Sequence, residues 1–306
     1  MNIATTIIPI FAVIVLGWFA RYRRFIQPAF LGPANRLVYH IAIPAMIFRS
    51  ISKSSFKAQF DIQVIIITLL SVLAVFAVAW CAGSIGRIKK ERLGTFIQSS
   101  FHGNLGYIGL AVSYYFLGDN GFARASIIAG FIMILQNFLA VVSLQVYSNK
   151  ISTKKKGLHL VWKILGNPVI LSAMAGILFS LTEAPVPFVV IRTLDIISGL
   201  ALPMALLLIG ASLSFESIRL QIFSILSSSI MKLVLLPGLG LTLYRLFGLP
   251  LDDYLPGLIL LASPTATISY VMAKEMHGDT DFAVSAISIS TILSALTFFV
   301  WLNISA

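Results

Sequence analysis

Ten stretches of the chain run apolar with scarcely a charge. They cover approximately Ile3–Ala20, Leu37–Ile51, Ile62–Ile85, Leu93–Leu117, Ala125–Tyr147, Ile164–Leu181, Leu194–Leu213, Ile222–Leu243, Tyr254–Ala273 and Phe282–Ile304. A bilayer core of about 30 Å takes roughly 20 apolar residues per helical pass. Each stretch is therefore a candidate transmembrane helix, the second being the shortest. Strands of a membrane barrel would alternate polar and apolar residues over about ten positions, and these stretches do not. The pattern predicts an all-α polytopic membrane protein with ten transmembrane helices.

Composition agrees. Of 306 residues, 58% are hydrophobic and 11% charged, with a mean hydropathy of +0.96. A soluble domain carries about 45–50% apolar and about 25% charged residues. A soluble enzyme, a disulfide scaffold and a disordered tail are excluded. The single cysteine, Cys81, has no intrachain partner with which to form a disulfide.

The net charge of +11 does not point to nucleic acid, because the basic residues lie as short flanks between apolar runs. Loops after the odd-numbered spans hold 15 of the 22 Lys and Arg, loops after the even-numbered spans hold 5, and Arg49 and Lys232 lie inside spans. The positive-inside rule makes the first set cytoplasmic. Arg21, Arg23 and Arg24 follow the first span and nothing positive precedes it, unlike a cleavable signal peptide. The expectation is an inner (plasma) membrane protein with both termini outside and a cytoplasmic central loop bearing Lys154, Lys155 and Lys156.

The chain repeats itself. Pro9 is followed by Gly17 and then Pro44, and Pro168 by Gly176 and then Pro203, every pair at an offset of 159. Gly118-Asp119-Asn120-Gly121-Phe122-Ala123 recurs as Gly278-Asp279-Thr280-Asp281-Phe282-Ala283 at an offset of 160. Residues 1–147 and 164–306 thus read as two five-helix repeats joined by a short basic loop, 148–163. Five is odd, so the second repeat is inverted relative to the first. Inverted repeats are the architecture of secondary transporters, whose sites form where two spans are interrupted near the midplane.

Two interruptions are visible. The fourth span contains Gly103-Asn104-Leu105-Gly106-Tyr107-Ile108-Gly109, where glycine weakens the helix and admits another backbone. The ninth contains Ser263-Pro264-Thr265-Ala266-Thr267, where Pro264 removes a backbone donor and the hydroxyls can satisfy freed groups. The repeat register sets Asn104 opposite Pro264. Close packing through small residues is the competing reading of the glycines.

These motifs resemble the auxin efflux carrier family in its short prokaryotic form, over essentially the whole chain. The resemblance rests on Asn104 to Gly109, on Gly166-Asn167-Pro168, on Pro203 with Gly210-Ala211-Ser212-Leu213, and on Ser263 to Ala266. It implies helices four and nine crossing at a substrate site, as in the bile-acid/sodium symporter-like superfamily. It also implies transport of small organic anions such as dicarboxylates or auxin-like carboxylates. The short central loop sets this chain apart from long-loop plant carriers. Leu110-Ala111 stands where the family usually carries a proline, so the first break must rest on the glycines and Asn104.

The expected substrate-binding residues are Asn104, Gly103, Gly106, Ser263, Pro264, Thr265, Thr267, Lys232 and Asn137. Lys232 lies midway along the eighth span, where a charge is costly and so suggests function. It is a countercharge for an anion, unless it snorkels to an interface or pairs with Asp195. His102 beside the first break is a candidate proton-coupling group or a polar filler. Gln136 and Asn137 either line the cavity or bond between helices.

Neither break contains the Asp or Glu that sodium/proton antiport would need, and the chain shows no metal-ligand cluster, Ser–His–Asp set or acidic pair, so no metal site, cofactor or enzymatic activity is expected. The leading reading is an exporter of small organic anions driven by membrane potential. A sodium- or proton-coupled carrier and a non-transporting membrane sensor of the same fold are the alternatives. Expected partners are the anion and the lipid bilayer, with no nucleic acid, and a homodimer is compatible with the architecture.

Overall fold

The computed structural model describes residues 3–54, 59–86, 88–147, 166–182, 186–215 and 221–305. Among these residues all regular structure is helical, apart from one isolated antiparallel bridge between Gly103 and Thr265. The cytoplasmic-loop expectation for Lys154, Lys155 and Lys156 lies outside the described residues.

In chain order, α1 spans Ile3–Tyr22. Helix α2 (Pro28–Leu37) runs through a π turn (Val38–Ala42) into α3 (Ile43–Lys53), and α4 follows over Ile62–Ile85. Next come α5 (Lys90–Phe101), a π turn (Leu105–Gly109) and α6 (Leu110–Tyr147). The second half holds α7 (Pro168–Leu181), α8 (Phe188–Ser198) and α9 (Ala201–Ser212). Helix α10 (Ile222–Ile230) runs through a π turn (Met231–Leu235) into α11 (Leu236–Leu246). Last are α12 (Leu251–Ala262), α13 (Ile268–Glu275) and α14 (Thr280–Ser305).

Among the described residues, six continuous helical segments are long and apolar enough to cross a membrane: Ile3–Tyr22, Ile62–Ile85, Leu105–Tyr147, Phe188–Ser212, Ile222–Leu246 and Thr280–Ser305. The third has 43 residues, roughly 65 Å at 1.5 Å per residue, twice what one crossing needs. Gly118, at φ 70° and ψ −168°, divides it into two limbs. A side chain is strained at that φ, and glycine is not.

The chain divides into two compact units, each drawing on both halves of the sequence. One comprises Met1–Asp61, Gly106–Gly130 and Leu165–Leu213; the other comprises Ile62–Leu105, Phe131–Ile164 and Ser214–Ala306.

In the first unit α1 packs on α9 and α3 packs on α7. Glycines set both approaches. A Cβ on Gly17 would strike the carbonyl of Leu207, and one on Gly210 the carbonyl of Ile14. A Cβ on Gly176 would stand 3.0 Å from that of Ile51. Gly17 and Gly176, 159 residues apart in the sequence, therefore perform the same task on different helix pairs. At the end of α3, Arg49 pairs with Asp195 and, at 3.7 Å, with Asp119. Lys53 lies 3.8 Å from Asp195. Asp195 is thus held by Arg49 and Lys53 and not by Lys232, which corrects the structural pairing considered from sequence.

In the second unit α4 packs on α5 and α11, and α10 on α5 and α14. Its interior is unusually rich in small polar residues. Ser99, Ser100, Ser228, Ser285, Ser288, Ser290 and Ser294 are all buried. Small residues let helices approach closely in lipid, where hydrophobicity alone does not drive them together.

Candidate functional site

The second unit holds both interruptions. Helix α5 ends at Phe101 and α12 at Ala262, and the extended segments that follow cross as an antiparallel pair. The Asn104 N–H donates to the Pro264 carbonyl at 2.7 Å, and the Ala266 N–H donates to the His102 carbonyl at 2.9 Å. The pair is therefore centred on Gly103 and Thr265 and sets Asn104 opposite Pro264, two positions 160 residues apart in the sequence. The first break forms without the family's proline, and the π turn Leu105–Gly109 resumes the helix.

Buried backbone groups released by the two breaks must find partners. The Leu260 carbonyl, which would have taken a bond from residue 264, accepts from the Ser263 N–H at 3.3 Å and its hydroxyl at 2.6 Å. The Leu261 carbonyl accepts from Lys232 Nζ at 2.7 Å. The Thr265 N–H donates to Ser290 Oγ at 3.1 Å, and the Thr265 hydroxyl to the Ser99 carbonyl at 2.9 Å. Gln136 clamps Gly103 from both sides: its Oε1 accepts from the Gly103 N–H at 3.0 Å, and its Nε2 donates to the Gly103 carbonyl at 3.2 Å.

Gly103 is where these groups converge. A Cβ there would lie 2.7 Å from Ser263 Oγ and 3.2 Å from Lys232 Nζ. Only a glycine lets the amine and the hydroxyl reach the crossing backbone. Lys232 is 1% exposed, enclosed by protein and not snorkelling to an interface. Its position follows from the π turn Met231–Leu235, which precedes Pro237. That proline has no N–H for the Leu233 carbonyl. The Trp301 indole N–H supplies the missing bond at 2.8 Å.

The expected residues divide into two groups. Gly103, Asn104, Lys232, Ser263, Pro264 and Thr265 come together, with His102 beside them. The hydroxyl protons of Ser263 and Thr265 are already engaged by backbone carbonyls, so both hold the breaks open. His102 is enclosed, with Nδ1 3.4 Å from Gln98 Nε2. Thr267 starts α13 without a side-chain cap. Asn137 is half-buried and takes no part in these bonds, unlike its neighbour Gln136. Gly106 lies one residue past the crossing, on the π turn.

Sequence reasoning missed Ser290, Ser99, Ser269 and Trp301. The serine spacing along α14 marks a packed face, but nothing in it names the Thr265 N–H as a partner.

One polar group at the crossing has no partner. Asn104 is 5% exposed and its Nδ2 makes no hydrogen bond, and Ser99 Oγ and Ser269 Oγ beside the breaks are likewise buried and unpartnered. Buried polar groups are nearly always bonded, so an orphaned donor at a helix break is a candidate ligand contact. An amide N–H and hydroxyls, with an amine close by, suit a carboxylate.

The comparisons carry the same sense. Residues 2–302 match the family described as membrane transport protein. An uncharacterized transporter of Methanocaldococcus jannaschii is 24% identical, over 94% of each chain. A Rhizobium meliloti protein named "Putative malonate transporter" is 24% identical over 97% of this chain and 93% of its own. An uncharacterized transporter of Escherichia coli is 21% identical over 98% of this chain and 96% of its own.

Proposed function

We propose, for a chain that belongs to the membrane transport protein family, the auxin efflux carrier-like group expected from its motifs, that it is a secondary transporter exporting small organic anions. Dicarboxylates and auxin-like carboxylates are the substrate class, and access alternates around the crossing of spans four and nine. The observation that carries this reading is the unpartnered Asn104 amide at a backbone crossing that also holds a buried amine. The name of the Rhizobium meliloti relative supports a dicarboxylate.

Ten spans in two inverted repeats, 1–147 and 164–306, are the architecture we adopt. The like roles of Gly17 and Gly176 support it, as does the crossing that sets Asn104 opposite Pro264. Division into two compact units supports an elevator-like or rocking motion, which requires two bodies. The charge bias supports an inner-membrane orientation with both termini outside.

In this reading Asn104 donates to the substrate carboxylate and Lys232 supplies its countercharge, since an ammonium has three donors and one is bound to Leu261. Pro264, Ser263, Thr265 and Gly103 keep the crossing open. Efflux of an anion from a negative-inside cell gains about 2.3 kcal/mol per charge per 100 mV.

Proteoliposomes challenged with mono- and dicarboxylates, without sodium or pH gradients, test this directly. A current is expected, with a dicarboxylate among the active anions. A current that requires a sodium or proton gradient replaces the uniporter with a coupled carrier. Ligand-dependent thermal stabilisation without any flux replaces transport with sensing.

A further inference from the structure

We infer that Lys232 is a tethered cation occupying the seat that a monovalent coupling ion would otherwise take at the end of α12. This deepens the transporter reading and rests on it for the flux measurements alone.

The argument begins at the helix end. The last carbonyls of a helix carry partial negative charge, and interrupted transporter helices hold their coupling cations on such carbonyls. Helix α12 stops at Ala262, and the Leu261 carbonyl is turned away from the Thr265 N–H, which bonds to Ser290 instead. That carbonyl is therefore an open acceptor in a buried place. Lys232 Nζ fills it at 2.7 Å.

The rest of the seat is also oxygen-rich. Ser263 Oγ and Lys232 Nζ approach the same face of Gly103, at 2.7 Å and 3.2 Å from the position of an added Cβ. Among the described residues no carboxylate pairs with Lys232; Asp119, Asp195 and Asp279 pair with Arg49, Lys53 and Arg92. A positive group bound to a helix-terminal carbonyl, with a hydroxyl on the same face of Gly103 and without a carboxylate, takes the place of a bound alkali cation. Because this cation is covalent, it cannot be exchanged with solution, and the carrier has no need of sodium.

Removing the amine should uncover the seat. Wild type, Lys232→Ala and Lys232→Gln are purified and reconstituted in choline, sodium, lithium or potassium chloride at constant ionic strength. Thermal stability is read without substrate, and organic-anion flux is read separately. Wild type is expected to be indifferent to the salt in both measurements.

Lys232→Ala is expected to lose flux at least about tenfold in choline. One alkali cation should restore most of that flux and raise the melting temperature saturably, as a ligand of the native state does. Lys232→Gln, whose amide fills the space, is expected to respond less. A wild type stabilised saturably by sodium overturns the inference. So does a folded Lys232→Ala that no alkali cation stabilises, and so does a variant that fails to fold in every salt. The stability arm needs no transported substrate, so loss of the anion reading leaves it standing.

Discussion

The peptide N–H of Asn104 reaches the carbonyl of Pro264 across 2.7 Å, joining the two helices that the sequence interrupts 160 residues apart. The bond is made by the main chain, so it survives replacement of the Asn104 side chain. Asn104→Ala therefore separates transport from folding. The lost Nδ2 has no partner in the protein, and an unsatisfied buried polar group costs about 1–3 kcal/mol. We expect flux to fall at least about tenfold while the melting temperature stays level or rises. A variant that melts well below wild type would assign the amide a structural role.

Gly103→Ala should fail for a steric reason. The added methyl meets Ser263 Oγ at 2.7 Å and the Lys232 amine at 3.2 Å, an overpacking that costs roughly 1–3 kcal/mol. Ser263→Ala removes the closer obstacle. In a double-mutant cycle the two changes should couple favourably by about 0.5–3 kcal/mol, read from thermal unfolding. Strict additivity would show that the methyl is accommodated elsewhere.

Trp301→Phe tests how the Lys232 turn is held. It deletes the indole N–H from the Leu233 carbonyl, the group that Pro237 leaves without a donor. A buried acceptor so exposed costs about 1–3 kcal/mol, and the melting temperature should drop accordingly. The ranking of transported anions should stay unchanged, since the indole contacts the turn's backbone and not the crossing.

Asp279 serves two functions of unequal weight. Its Oδ1 caps α14 by accepting from the Phe282 N–H at 2.8 Å, and its Oδ2 accepts from Arg92 Nε at 3.0 Å. Losing a cap costs about 0.5–2 kcal/mol, whereas a pair near the surface is worth about 0–1 kcal/mol. Asp279→Ala should therefore destabilise more than Arg92→Ala, and Asp279→Asn, which keeps an acceptor, should fall between them. Equal losses for both alanine variants would place the weight on the ion pair.

How much could be read beforehand depended on whether the information was local or periodic. The opposition of Asn104 and Pro264 was legible because the 160-residue offset between matching motifs fixes register by counting. The depth of Lys232 was legible because hydropathy measures distance along a span. Its partner was not, because Leu261 offers a carbonyl that every residue has. The same holds for Ser290 and Trp301, whose partners are backbone groups on distant helices. Asn137 illustrates the reverse. One residue of helical rotation separates it from Gln136, and composition could not tell which of two neighbouring amides faces the crossing. The division of the long segment was legible as well: the polar stretch from Gly118 separates the spans ending at Leu117 and starting at Ala125, and the break in helical geometry falls on Gly118.

Pro264 has no N–H to return the bond that Asn104 makes, and the joint between the broken helices is otherwise built from peptide groups, Gln136 and serine hydroxyls. Such a joint is indifferent to what the side chain at position 104 carries. On the proposed reading, cargo preference and joint integrity are thereby written in separate alphabets: substitutions that retune the passenger at position 104 leave the main-chain crossing latched.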